Sequence, residues 1–202
     1  MKIERRTFKA EVRKDGETRK IRGVAIVFNQ LSENLGGYRE QIAADALDGC
    51  DMADVRCLIN HEDNLVLGRT ASGTLALSNG PAGLSFECNP PDTSYARDLA
   101  ACMDRGDIDQ CSFSFTVAPG GADWSEDAAT GGEIRTVKKI ARLYDVSVVT
   151  YPAYTQTSSE LRSYADILSE RPAAVSVESG PDLRTVQAVM ATAAKSIELE
   201  KK

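Results

Sequence analysis

His61 is the only histidine among 202 residues, so any mechanism that needs an imidazole base has one candidate. Hydrolysis of a peptide bond by serine needs a hydroxyl, an imidazole to remove its proton and a third group to hold the imidazole. His61 stands in Asn60-His61-Glu62-Asp63, directly after the apolar run 55–59 and ahead of Val66-Leu67-Gly68-Arg69-Thr70. The hydroxyls come from Cys111-Ser112-Phe113-Ser114-Phe115, where strand alternation puts Cys111, Phe113, Phe115 and Val117 on one face and Ser112, Ser114 and Thr116 on the other. Either serine would be held rigidly by the apolar face while its hydroxyl points away from the core. A third feature is Asp145 in Leu143-Tyr144-Asp145-Val146-Ser147-Val148-Val149, an acid inside an otherwise buried run, where it needs a partner. Singly, each feature has an ordinary explanation: a surface histidine, two polar residues on the wet face of an edge strand, and a strand-end acid reaching solvent.

The elements that must carry these residues read mostly as strands. Residues 5–12 alternate, 21–28 are rich in branched and aromatic side chains, and Asp15-Gly16 between them marks a hairpin. Residues 29–37 predict a polar loop, 40–47 a short helix, and 55–59 the strand that delivers His61. The segment 65–77, with Gly68 and Gly73, suits two strands and a tight turn, and Asn79-Gly80 is a hairpin signal ahead of a strand at 83–88. Residues 92–103 predict a helix capped by Asp92, Thr93 or Ser94 and ended by Gly106. A strand at 111–117, a Gly-, Ala- and Asp-rich loop at 119–132 and two strands at 133–138 and 140–150 follow, the last stopped by Pro152. Beyond it come a helix at 158–168, a linker at 170–181 holding Pro, Ser and Gly, and a helix at 183–199. The chain therefore divides near Leu168 into a domain, 1–168, and a linker with a helical tail, 169–202. Many short strands, several hairpin signals and few long helices predict a mainly β domain with peripheral helices, an α+β chain.

The net charge of -6 and the scattering of basic residues, with only Arg5-Arg6 and Lys138-Lys139 as short runs, argue against nucleic-acid binding. No apolar run is long enough to span a bilayer, and Met1-Lys2-Ile3-Glu4-Arg5-Arg6 does not begin a signal peptide, which predicts no membrane partner and a cytoplasmic location. The five cysteines, Cys50, Cys57, Cys88, Cys102 and Cys111, are odd in number and include no CxxC pair, so reduced thiols are expected. A zinc site would need clustered Cys and His. With one histidine, and only Cys57 near it, neither a metal nor another cofactor is expected.

Together the motifs match a family. Gly23-Val24-Ala25 with Phe28-Asn29, Asn60-His61-Glu62-Asp63, Leu67-Gly68-Arg69-Thr70-Ala71-Ser72-Gly73-Thr74-Leu75, Ser112-Phe113-Ser114-Phe115, and Leu143-Tyr144-Asp145-Val146-Ser147-Val148-Val149 with Pro152-Ala153-Tyr154 occur in this order. The set resembles the prohead proteases of phages with the HK97-type capsid, which are distantly similar to the herpesvirus assembly protease, and it extends to about Ala165. The resemblance implies a serine endopeptidase with His61 as general base, Ser112 as nucleophile and Asp145 as the group that orients the imidazole. Ser114 stands where the family often has glycine and is the alternative nucleophile; Asp145 replaces the commoner glutamate. Arg69 would support the site, fix a carboxylate, or lie on the surface. The implied fold is a closed or nearly closed, mainly antiparallel β-barrel with helices packed around it, like that of the herpesvirus protease. The implied substrates and partners are the scaffolding protein, the scaffold-like extension of the major capsid protein, and the protease itself by autoproteolysis. The implied place of action is the prohead in the host cytoplasm. Self-association stays open. The tail after Pro172 would direct packaging into the prohead or be removed by self-cleavage.

Two other readings use the same residues. A cysteine peptidase would pair Cys111 or Cys57 with His61, although alternation turns Cys111 toward the apolar face. A non-enzymatic scaffold or capsid-assembly module would keep the fold while the side chains of His61, Ser112 and Asp145 fail to meet.

Overall fold

The computed structural model describes residues 2–8, 13–15 and 20–151. The helices expected at 158–168 and 183–199, the linker between them and the boundary near Leu168 lie outside the described residues. Twelve strands and one α-helix are described: β1 (Glu4–Phe8), β2 (Arg13–Asp15), β3 (Lys20–Val27), β4 (Tyr38–Ile42), β5 (Arg56–Ile59), β6 (Val66–Arg69), β7 (Leu75–Gly80), β8 (Gly83–Cys88), α1 (Ser94–Arg105), β9 (Gln110–Val117), β10 (Ala122–Glu126), β11 (Glu133–Val137) and β12 (Ile140–Val149). They form three sheets, ordered β1-β9-β12-β5-β6, β10-β11-β4 and β2-β3-β8-β7.

The domain is mainly β, as expected, but its described strands do not close into an antiparallel barrel. Among the described residues each sheet is an open order of strands, and two of the pairings, β12 with β5 and β11 with β4, are parallel. Local hairpin signals reveal only sequence neighbours; the parallel pairs join strands far apart in the chain, which no turn residue announces. One core nevertheless serves all the sheets, drawing on Ile26, Ile42, Leu84, Phe113, Leu143 and Val148 from five different strands.

Residues 40–47 do not form a helix. Glu40 and Gln41 favour helix by propensity, but Tyr38, Glu40 and Ile42 point inward on β4 with period two. What draws Glu40 inside is charge. Its carboxylate meets Arg6 Nε at 2.7 Å and Arg135 Nη1 at 2.6 Å, while Glu4 meets Arg6 Nη2 at 2.8 Å and Arg135 Nη1 at 2.6 Å. All four residues are buried, and burial pushes the neighbouring Tyr38 phenol up to about 12. This cluster ties β1 to β4 and β11. Paired charges of this kind tolerate burial only when each keeps its partners.

The segment 65–77 forms two strands and a tight turn, as expected: β6 and β7 belong to different sheets and are joined through a 3₁₀ turn at Thr70–Ser72. Gly73 closes that turn in the left-handed region, with φ 71°. Gly68 is required by close approach, since a Cβ there would meet Cys88 Sγ at 2.6 Å and the Thr74 carbonyl oxygen at 2.9 Å. The loop at 119–132 contains β10, paired with β11 and anchored by Trp124 against Tyr38, ring centroids 5.1 Å apart. The helix at 94–105 forms as the pattern predicts, ended by Gly106 at φ 79°, although Thr93 at the cap makes no side-chain cap bond. The hairpin near Asn79-Gly80 also forms, with Pro81-Ala82 as its tip.

Candidate active site

β9 is not an edge strand. It runs between β1 and β12, and its serine face is as well buried as its phenylalanine face: Ser112 and Ser114 are each 1% exposed. The ordinary explanation, two hydroxyls on the wet face of an edge strand, therefore does not hold. Short hydroxyl side chains suit such a position because they leave room for another element and can each be satisfied by a hydrogen bond. Register then brings the acid to the serines. On the antiparallel pair β9 and β12, Asp145 stands opposite Ser114 and Ser147 opposite Ser112, so all four side chains share one face.

His61 reaches this face from the far side of β12. It follows β5, which pairs parallel to β12, and lies in the tight turn Ile59-Asn60-His61-Glu62. The Glu62 N–H donates to the Ile59 carbonyl at 2.9 Å, and Asn60 and His61 have φ of 52° and 60°. Two successive positive φ angles are the pattern of a type I′ turn. Non-glycine residues rarely adopt this region, though Asn and His do so more readily than most. The turn is clamped to the end of β12. The Asn60 N–H donates to the Val148 carbonyl at 2.9 Å, its side-chain amide donates to Thr150 Oγ1 at 3.1 Å, and its Oδ1 accepts the Thr150 N–H at 2.9 Å.

The imidazole so placed bridges acid and serine. His61 Nδ1 lies 2.7 Å from Asp145 Oδ1, and Nε2 lies 2.8 Å from Ser112 Oγ. An ionised carboxylate only accepts, which puts the ring proton on Nδ1 and leaves the Nε2 lone pair facing Ser112. Burial alone would raise the Asp145 carboxyl, but His61, Ser114 and Ser147 hold it below its ordinary value through hydrogen bonds, with the histidine charge adding to the effect. Ser147 donates its hydroxyl to Asp145 Oδ1 at 2.6 Å. The Ser112 hydroxyl has a second acceptor, the Arg6 carbonyl oxygen of β1 at 2.9 Å, and one proton to give.

The structure separates the other sequence candidates. Ser114 belongs to the cluster, but on the Nδ1 side, with Oγ 3.1 Å from that nitrogen. Arg69 fixes a carboxylate: its Nε and Nη2 bind Asp54 at 2.5 and 2.8 Å and hold that carboxyl down to about 2. Cys111 faces the core, and burial pushes its thiol up to about 12. The Cys57 thiol is also raised, by its hydrogen bond with Cys88 and by burial. Neither thiol favours the thiolate that a cysteine peptidase needs. Sequence reasoning assigned no role to Ser147, to the Asn60 amide or to the Arg6 carbonyl. Ser147 had a signal, its two-residue spacing from Asp145 on one strand face; the backbone carbonyl had none.

No curated protein and no solved structure matches the chain. The family model described as Caudovirus prohead serine protease matches residues 7–170, a span that holds the Ser112–His61–Asp145 cluster and every described strand except the first few residues of β1. The chain belongs to the Caudovirus prohead serine protease family.

Proposed function

We propose that this chain is the endopeptidase of phage prohead maturation, acting inside the prohead in the host cytoplasm. Its substrates are the scaffolding protein or the scaffold-like extension of the major capsid protein, and the protease itself. Residues 1–168 are the protease domain of this proposal, and 169–202 its linker and tail. The observation that carries it is the unbroken line of contacts from Ser112 Oγ through both ring nitrogens of His61 to Asp145, at 2.8 and 2.7 Å.

In this mechanism Ser112 is the nucleophile. Its proton passes to His61 Nε2 as Oγ attacks the scissile carbonyl, and Asp145 stabilises the imidazolium that forms. The imidazolium returns the proton to the leaving amine, giving an acyl-enzyme. Water, activated by the same nitrogen, then attacks the ester and frees Ser112. Attack requires the Ser112 proton to point at Nε2 and not at the Arg6 carbonyl.

Co-expression with the capsid protein of the same phage, with products read by mass, tests the proposal. Wild-type chain should cut the capsid extension or scaffold, while Ser112→Ala and His61→Ala should fold and leave it whole. Cleavage by His61→Ala at the wild-type rate would end the proposal, because no other imidazole is present to substitute.

A further inference from the structure

Proton transfer between Ser112, His61 and Asp145 uses neither of the other two hydroxyls of the site, Ser114 and Ser147. Ser147 is fully buried on β12, two residues beyond Asp145, and gives its proton to Asp145 Oδ1 at 2.6 Å. The same oxygen receives His61 Nδ1 at 2.7 Å. A buried serine needs only some acceptor, and a backbone carbonyl commonly serves. Here the acceptor is the carboxylate that faces the imidazole. An aspartate turns about χ1 and a soft χ2, so one contact does not fix its plane. Two donors converging on Oδ1 from different elements, one on β12 and one on the β5 turn, do.

We infer, on the serine-peptidase reading of the site, that Ser147 is a positioning residue: its hydroxyl holds the Asp145 carboxylate where it accepts the Nδ1–H hydrogen bond of His61, and so keeps the ring proton on Nδ1 and the Nε2 lone pair free toward Ser112. The competing arrangement is visible in the structure. Ser114 Oγ lies 3.1 Å from Nδ1. With Asp145 released, Ser114 can donate to Nδ1, the ring proton moves to Nε2, and Nε2 then has no lone pair to take the Ser112 proton. Ser147 works against that tautomer, and a ring held in the wrong tautomer is a strongly impaired base.

The single histidine makes the test direct, because ¹⁵N-histidine labelling of the full chain gives one imidazole signal set. Wild type should show a protonated Nδ1 and an unprotonated Nε2. In Ser147→Ala the two nitrogens should move toward a mixture of tautomers. Reaction with a fluorophosphonate probe should slow about tenfold, the effect of losing one hydrogen bond to a charged group. Ser147→Thr, which keeps the hydroxyl, should recover both readings. If Ser147→Ala loses its folded circular dichroism, Ser147→Cys, similar in size but a weak donor, is read in its place with the same expected directions. A wild-type tautomer spectrum and labelling rate in the folded Ala or Cys variant would overturn the inference. A wild type that is never labelled, but whose imidazole spectrum responds to Ser147→Ala, would sink the peptidase reading while leaving the positioning role standing.

Discussion

Asn60 and Thr150 hold each other by two reciprocal hydrogen bonds, the Asn60 amide donating to Thr150 Oγ1 at 3.1 Å and the Thr150 N–H donating to Asn60 Oδ1 at 2.9 Å. The pair joins the turn that carries His61 to the end of the strand that carries Asp145. Base and acid are therefore mounted on one clamped unit instead of on a free loop, which is how a hydrogen-bonded site is kept within a few tenths of an ångström of its working geometry.

Removing the clamp should cost activity without removing any reacting group. Asn60→Ala loses both side-chain bonds and places alanine at φ 52°. Asn60→Gly loses the bonds but accepts the backbone angle. Fluorophosphonate labelling should fall at least about tenfold in both, as expected for two lost hydrogen bonds. Thermal stability should fall further in the alanine variant. Equal stability of the two would show that the left-handed angle carries no strain.

The two serines of β9 should separate cleanly. Ser112 and Ser114 lie roughly 6–7 Å apart along the strand, and they contact different ring nitrogens, Nε2 and Nδ1. Ser112→Ala should lower scaffold cleavage by more than about a thousandfold and abolish labelling. Ser114→Ala removes a neutral hydroxyl and should cost about fivefold. If Ser114→Ala is dead and unlabelled while Ser112→Ala still cuts, Ser114 is the nucleophile.

Asp145 should make folding sensitive to acid. Its carboxyl sits below its ordinary value in the folded chain. A depressed carboxyl contributes stability that is fully present above the unfolded value, about 3.9, and is lost as pH falls through the lower folded value. Urea unfolding of wild type and Asp145→Asn, compared at neutral pH and near pH 3, should show the gap between them narrowing on acidification. A gap that stays constant would mean that folding does not lower the Asp145 carboxyl.

The buried charge cluster should be the least forgiving part of the fold outside the apolar core. Glu40 is fully buried between Arg6 and Arg135. Glu40→Ala leaves two guanidinium groups sharing one carboxylate, and should cost about 3–5 kcal/mol in chemical denaturation. Because Arg6 also presents its carbonyl to Ser112, labelling of Ser112 should change in the fraction that stays folded. A loss below about 1 kcal/mol would place Glu40 among the weakly coupled surface pairs.

Several features were legible in the chain alone because they depend on short-range geometry. One histidine leaves one base. The two-residue period of a strand put Ser112 and Ser114 on one face and the phenylalanines on the other, and the same period joins Asp145 to Ser147. Gly106 ended the helix because its φ of 79° is a local matter. Other features came only with the tertiary structure. Glu40 lies inside because two arginines distant in sequence meet it there, which overrides its helix propensity. The serine face of β9 is covered because the His61 ring, from a turn distant in sequence, lies against Ser112 and Ser114, which alternation alone does not show. Which serine meets Nε2 depends on the register of β9 against β12, on the parallel pairing of β12 with β5, and on two left-handed residues in the turn between β5 and β6. Each of those is a long-range or strained arrangement whose energy comes from contacts between segments, and no window of neighbouring residues contains both sides of such a contact.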